Sequence, residues 1–218
     1  MKTYWIIGGG QFGLNAAQKI RTLESDADIL IVEQNLTICQ QIEKLGFEIF
    51  CGEGIQYLDR NLINEDCPDW IIPAIPLHVA FEWIQAKLSS KYETEVIAVS
   101  DELERQLPHP IRGDQGQLYV SNADFVCPDD CSEPEEICTY TGEPRPRILN
   151  DFLKKIHYRD FRSVVICSRQ LLAGVGGYTP QALFQGLEKI KTEVKPVILS
   201  TACYCHGVMH AFRIFPRT

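Results

Sequence analysis

Apolar residues along the first hundred positions fall into short runs separated by stretches with helical spacing. Thr3-Tyr-Trp-Ile-Ile7 runs straight into three glycines, the pattern of a buried parallel strand entering a tight turn. Leu14, Ala17, Ile20 and Leu23 then recur near helical spacing after Phe12. Ile29 to Val32 is the second apolar run, closed by Glu33. A helix is predicted from Leu36 to Leu45, stopped by Gly46 in the role of a helix C-terminal glycine. Phe47 to Cys51 makes a third strand ending at Gly52-Glu53-Gly54, and Trp70-Ile71-Ile72 a fourth. Leu77, Ala80, Phe81, Ile84 and Leu88 mark one stripe of an amphipathic helix. A fifth strand is predicted at Glu95 to Val99. Strands alternating with helices predict a parallel sheet with right-handed crossovers.

From Pro108 to Pro146 prolines, glycines, acids and three cysteines replace this pattern, and only Gln117 to Val126 reads as a strand. A segment this long without its own periodicity is either disordered or organised by something else, such as a metal. Regular patterning returns at Asn150. A helix is predicted over Asp151–Ile156, a strand over Ser163–Cys167 and another over Val197–Thr201. Between those strands Thr179-Pro180 is a helix start, Thr as cap and Pro at the first helical position. This strand–helix–strand unit either extends the first sheet or forms a small second lobe. The expectation is an α/β chain in three parts. Residues 1–106 form a Rossmann-like doubly wound parallel sheet that binds a dinucleotide, 107–149 a cysteine-containing irregular segment, and 150–218 a C-terminal α/β unit, a βαβ extension.

The first turn carries the chemistry. Gly8-Gly9-Gly10-Gln11-Phe12-Gly13 fits G-x-G-x-x-G. Gly8 permits the tight turn, Gly10 lets backbone approach a pyrophosphate, and Gly13 lets the helix lie close on the strand. Phosphates then sit at a helix N-terminus, where free N–H groups and the dipole favour negative charge. Glu33 ends the second strand, placed to accept from ribose hydroxyls, and its charge repels a 2′-phosphate. Gln34, Asn35 and Leu36 supply no arginine to welcome one, so NAD is favoured over NADP. ATP, ADP and AMP stay open, because the same constellation reads adenosine and phosphate.

Residues 3–100 resemble the nucleotide-binding N-terminal domain of potassium-transport regulators, the TrkA-N or RCK type. The resemblance rests on Ile6-Ile-Gly-Gly-Gly-Gln-Phe-Gly13, Ile31-Val-Glu33 and Gly46-Phe-Glu-Ile-Phe-Cys-Gly-Glu-Gly54. It implies that Glu33 contacts ribose, that Gly52 and Glu53 lie near the adenine, and that the chain forms a homodimer. It covers under half the chain, and the C-terminal half does not resemble that family's usual ligand-binding domain.

Charge and cysteines change the picture in two ways. A net charge of −8 argues against nucleic acid and anionic lipid as partners. No stretch approaches the ~20 apolar residues of a membrane span, so no membrane insertion is expected. With a first strand at Thr3 there is no room for a signal peptide, and a cytoplasmic protein is expected. Nine cysteines should then be thiols or metal ligands rather than disulfides. Cys39 reads as a buried small hydrophobe.

Cys127, Cys131 and Cys138 form a C-x3-C-x6-C array that matches neither the usual zinc pairs nor the common ferredoxin run. Three thiolates on one loop can hold three corners of an iron–sulfur cluster or a zinc ion, redox-active thiols being the other reading. The remaining ligand comes from Cys203-Tyr-Cys205-His206, with Cys205 and His206 the expected donors and Cys167 a further candidate. The acids Asp129, Asp130, Glu133, Glu135 and Glu136 read as solvating the loop. His78, His109 and His157 read as surface or cap residues, and His210 joins His206 on one face if that stretch is helical. Gly174-Val-Gly-Gly177 reads as a second anion cradle at the same sheet edge.

Two functions follow. One is a regulatory or sensor module whose Rossmann domain reports NAD or adenylate state. The other is an NAD-dependent oxidoreductase using the cysteine cluster or a small-molecule substrate at the carboxyl edge of the sheet. No acid–base pair stands out, which favours the first.

Overall fold

The computed structural model describes residues 1–63 and 67–217. The chain opens with β1 (Thr3–Ile7), α1 (Gln11–Leu23), β2 (Asp28–Glu33), α2 (Leu36–Lys44), β3 (Glu48–Cys51), α3 (Gly54–Asn61), β4 (Trp70–Pro73) and α4 (Val79–Leu88). β3-β2-β1-β4 form one sheet in that order, and every pair is parallel. Ile6, Ile7, Ile31 and Val32 are all buried, as in strands covered on both faces. Chain order reverses between β1 and β4, and a ligand crevice opens outside the strand ends at such a switch point. The Rossmann-like expectation therefore holds.

The next strand breaks the pattern. β5 (Tyr92–Ile97) does not join the parallel sheet; it pairs antiparallel with a strand from the far end of the chain. After it come α5 (Asp101–Glu104), β6 (Ile111–Arg112), β7 (Leu118–Ser121) and α6 (Leu149–Lys154). These are followed by β8 (Arg162–Cys167), β9 (Arg169–Leu172), β10 (Val175–Gly177), α7 (Pro180–Lys191), β11 (Val197–Ala202) and β12 (His206–Pro216). β8–α7–β11 is the expected parallel crossover, and Thr179 caps α7 through the Ala182 N–H. Long β12 returns antiparallel along β11. Its other edge takes β7 along the first half and β5 along the second. The C-terminal unit thus builds its own sheet rather than widening the first. β12 also settles the stretch carrying His206 and His210, which is strand and not helix.

α4 joins the two sheets. Val79, Phe81, Trp83, Ile84 and Leu88 share one core with Ile7 and Val32 of the first sheet and with Val164, Leu199 and Phe212 of the second. The sequence pattern predicts one apolar stripe; the helix is buried almost all round because a sheet lies on either side. The β9–β10 hairpin makes a second join. Tyr178, the residue after it, exchanges backbone hydrogen bonds with β4, Ile71 N–H to Tyr178 C=O at 2.9 Å and the reverse at 3.0 Å. Among the described residues no helix is long and apolar enough to cross a membrane.

Two sequence expectations are corrected here. Cys39, on α2, pairs with Cys51, at the end of β3, as a disulfide with Cα atoms 6.1 Å apart. The parallel β2–β3 pairing carries Cys51 back beside the helix that precedes it. His78, expected at the surface or as a cap, does precede α4 but is buried. Its Nδ1 lies 2.9 Å from His210 Nδ1 and its Nε2 2.9 Å from Thr201 Oγ1. The His210 ring stacks on Phe81 with centroids 4.0 Å apart.

Both imidazoles are neutral in this setting. Burial holds His78 well below its ordinary 6.5, with His210 adding repulsion. Burial likewise pushes His210 down to about 4. In the unfolded chain both titrate near 6.5, so between that value and about 4 the unfolded state binds more protons. Stability that is complete above pH 6.5 is therefore lost as pH falls through this window. Thermal unfolding from pH 7 to 4 should show the midpoint falling, and His210→Gln should flatten the fall. An unchanged slope in that variant would sink the assignment. His78→Ala should cost about 1–3 kcal/mol in urea titration, since it orphans Thr201 and His210 in the core.

Candidate functional site

The glycine turn sits at the switch point between β1 and β4. Gly8 has φ +110°, and a Cβ there would meet the Ala74 carbonyl oxygen at 2.7 Å. A Cβ on Gly13 would collide with the Gly8 carbonyl oxygen, so helix and strand touch through backbone alone. Gly10 differs. It is the extended N-cap of α1, and a Cβ on it would meet nothing within 4 Å. α1 also lacks a side-chain cap and an acid in its first turn. By contrast α2 and α3, which begin on the same sheet edge, are capped by Asn35 and Glu53. The open start of α1 leaves its first N–H groups and its positive dipole end for an anion.

Glu33 stands beside this opening. Its Oε2 accepts from the Gly9 N–H at 2.7 Å and its Oε1 from the Asn35 N–H at 2.8 Å. That fixes the carboxylate while leaving acceptor capacity on both oxygens. Gly8, Glu33, Gly52, Glu53 and the loop Ile75–Leu77 wall a cavity of about 290 Å³. The Glu53 carboxylate is held by the N–H groups of Ile55 and Gln56, which it caps at the start of α3. Phe12 and Ala16 line a second cavity of about 500 Å³ with Ile72–Pro76 and Gly174–Gly176. Gln11 is exposed and donates to Asn15.

Gly174–Gly177, expected as an anion cradle between strand and helix, is instead the turn and second strand of the β9–β10 hairpin. Gly174 has φ +74° and packs on the Asp129 carbonyl; Gly177 lets the hairpin approach β4, where a Cβ would meet the Ile71 oxygen at 2.8 Å. The tip is held from both sides. Lys19 of α1 donates to the Ala173 carbonyl at 2.7 Å, and the Cys131 carbonyl accepts from the Gly174 N–H at 3.1 Å.

On the second sheet Cys127, Cys131, Cys138, Cys205 and His206 all line one cavity of about 220 Å³, with Arg145 on its wall. Folding thus brings together five residues spread over eighty positions. Cys127 Sγ lies 3.4 Å from His206 Nε2. Burial raises the Cys127 thiol, and Cys131, Cys138 and Glu133 add to the rise. The backbone and hydroxyl of Thr141 hold Cys138 below its ordinary value. Arg145 contacts Cys205 Sγ. Cys167 does not line this cavity; it ends β8 beside Ala202 and interacts with Lys154 of α6.

Glu133 escapes the sequence reading. Taken there as a solvating acid, it is only 8% exposed. Its Oε1 accepts from the Cys205 N–H at 2.8 Å. The ligand atoms of Glu133, Cys203 and His206 all lie within 4.8 Å of one another. No periodicity signals a buried acid among exposed ones. Cys203-x-x-His206 is the one part of this trio visible as spacing.

Residues 4–102 match the family model of the TrkA-N domain. Residues 80–215 match a second model, described as "Uncharacterized protein, C-terminal domain". The overlap falls on α4 and β5, the elements at which the first sheet gives way to the second. A protein of Archaeoglobus fulgidus, named "Uncharacterized protein", is 31% identical over 222 residues, covering 95% of this chain and 98% of the relative.

The glycines separate packing from ligand space. Gly13→Ala should lower stability by about 1–3 kcal/mol, because the collision is with backbone. Gly10→Ala should cost less, about 1 kcal/mol or under, because its Cβ meets nothing and only the preference for glycine over alanine at an N-cap is lost. Urea unfolding of the two variants reads both values.

Proposed function

The chain belongs to the family it shares with the Archaeoglobus fulgidus protein and carries a TrkA-N domain, and from that premise we propose that it is an NAD(H)-binding regulatory or sensor module. The observation that carries this reading is the uncapped start of α1 with an empty approach at Gly10 and Glu33 fixed beside it. The backbone of Gly8, Gly10, Gln11, Phe12 and Gly13 would hold the pyrophosphate. Glu33 would accept from the ribose hydroxyls, and Gly52 and Glu53 would lie along the adenosine. TrkA-N domains generally bind NAD(H). NAD is preferred to NADP because Glu33 is negative and no cation follows it before α2. Cavities on either side of the Ile75–Pro76 loop give a dinucleotide two halves to occupy. The cavity beyond Phe12 is walled by apolar side chains and glycine, which supports binding over proton transfer.

The second part of the proposal is a metal centre in the sulfur-lined cavity, zinc or an iron–sulfur cluster, with Cys127, Cys131, Cys138, Cys205 and His206 as the available donors. A segment without its own apolar periodicity gains its fold from such a centre. A cytoplasmic location and a homodimer belong to the same reading. One observation favours the oxidoreductase alternative: the far wall of the cavity beyond Phe12 is bonded to the backbone of the cysteine segment. Incubating the protein with NADH and ferricyanide separates the two, since only an oxidoreductase turns over.

Calorimetric titration should show NAD and NADH binding and NADP binding more weakly. Glu33→Ala and Gly10→Ala should each lose at least tenfold in affinity, about 1.4 kcal/mol. Unchanged affinity in the first variant would remove the ribose assignment, and tighter binding of ATP than of either dinucleotide would remove NAD. Anaerobically purified protein should contain metal; a folded, metal-free sample would end the second part of the proposal.

A further inference from the structure

The turn from β11 to β12 is built like half of a metal site. Cys203 and His206 are three residues apart across a reversal in which the Cys203 N–H donates to the His206 carbonyl at 2.9 Å. The His206 N–H in turn donates to Cys203 Sγ at 3.2 Å. The same sulfur donates to the His206 carbonyl at 3.3 Å, a thiol proton that metal uptake would release. Glu133 approaches from the cysteine segment on a backbone with φ +49°, an uncommon conformation for a residue with a side chain. Its carboxylate is oriented by the Cys205 N–H of the same turn.

A buried carboxylate and the half-buried thiol beside it need a proton each or a cation between them. Arg145, the nearby cation, spends its donors on Cys205 Sγ and on the carbonyls of Pro134 and Glu135. Cys127 is the candidate for the fourth position: it reaches the trio through His206 but stands outside the mutually close set, so its sulfur has to move in when the ion binds. Cys127 Sγ is 3.4 Å from His206 Nε2. Bonds of about 2.3 Å to sulfur and 2.0–2.1 Å to nitrogen at a tetrahedral angle put two zinc ligands roughly 3.5 Å apart.

We propose that Glu133, Cys203, His206 and Cys127 form a mononuclear tetrahedral site for a divalent ion of borderline softness, zinc being the occupant its donors fit. The inference rests on the reading of this half as a metal centre and narrows it. Two sulfurs, a nitrogen and an oxygen suit zinc, whereas iron–sulfur clusters are held chiefly by thiolates. Four protein ligands make the site structural, with no position left for substrate. The two N–H bonds to Cys203 and Glu133 are its outer shell. Uptake releases the two thiol protons, and the carboxyl proton where it is bound, so affinity rises with pH. The ion ties the irregular segment to the β11–β12 turn, and the same segment holds the hairpin tip beside the nucleotide cavity through Cys131.

The test uses the full chain, stripped with a chelator and titrated with Zn²⁺, then with Co²⁺ as a spectroscopic stand-in. The expected result is one ion per chain, with thiolate-to-cobalt charge transfer that weakens in Cys203→Ser and in Cys127→Ser. Cys203→Ser and Glu133→Gln should each lose at least the roughly 10–100-fold in zinc affinity that removing an outer-shell partner costs. Cys131→Ser and Cys138→Ser should keep the parent affinity. Circular dichroism of each stripped variant checks the fold, and Glu133→Gln keeps an acceptor for the Cys205 N–H. Metal lost in Cys131→Ser and Cys138→Ser but kept in Cys203→Ser and Glu133→Gln would overturn this ligand set and leave a cysteine-held centre standing. A parent chain that binds neither ion would overturn both.

Discussion

The molecule depends on one helix being dry on both sides. α4 carries Val79, Phe81, Trp83, Ile84 and Leu88 into a core shared by the parallel sheet and the mixed sheet. Each such side chain contributes about 1.5–3 kcal/mol relative to exposure, and neither sheet alone could bury them all. The loop into α4, Ile75 to Leu77, walls the cavity beside Glu33. His78, at the start of the helix, is pinned to Thr201 and His210 of the second sheet. The position of the nucleotide crevice is thus tied to packing against a sheet that contributes no strand to it.

That arrangement gives two chemically different sites one shared element. The glycine turn belongs to the first sheet and the thiol cavity to the second, so they do not lie along one common sheet edge. Between them stands the β9–β10 hairpin. Its tip is bonded to Lys19 on one side and to Cys131 on the other, and its glycines face the cavity beyond Phe12. The hairpin is an element that touches both, and one site influences another only through a part whose position both can bias.

The nucleotide end was legible because its chemistry is local. Gly8, Gly10, Gly13 and Glu33 act through backbone freedom, close approach and a strand end, all properties of neighbouring residues. β5 was legible as a strand but not as a member of the second sheet, since its partner β12 lies more than a hundred positions away. α4 read as amphipathic because Val79 and Trp83 lie off the expected stripe, and only a second covering layer explains them. Glu133 was hidden by composition: of the five acids between Cys127 and Cys138 it is the buried one, and the backbone that turns it inward leaves no periodic trace. Cys39 and Cys51 met for a similar reason, through strand register rather than spacing.

By itself, then, the sequence determined the Rossmann-like half, the glycine turn with an acid at the end of the second strand, the βαβ unit at the C-terminal end, and the existence of a thiol-rich segment outside the periodic pattern. These rest on hydrophobic period, turn chemistry and residue type, which act over a few positions. Tertiary structure alone decided which sheet β5 joins, that His78 is buried against His210, and which side chains gather at the β11–β12 turn. Each of those depends on surfaces contributed by distant parts of the chain, and the free energy of burying them exists only once both sheets have closed on α4.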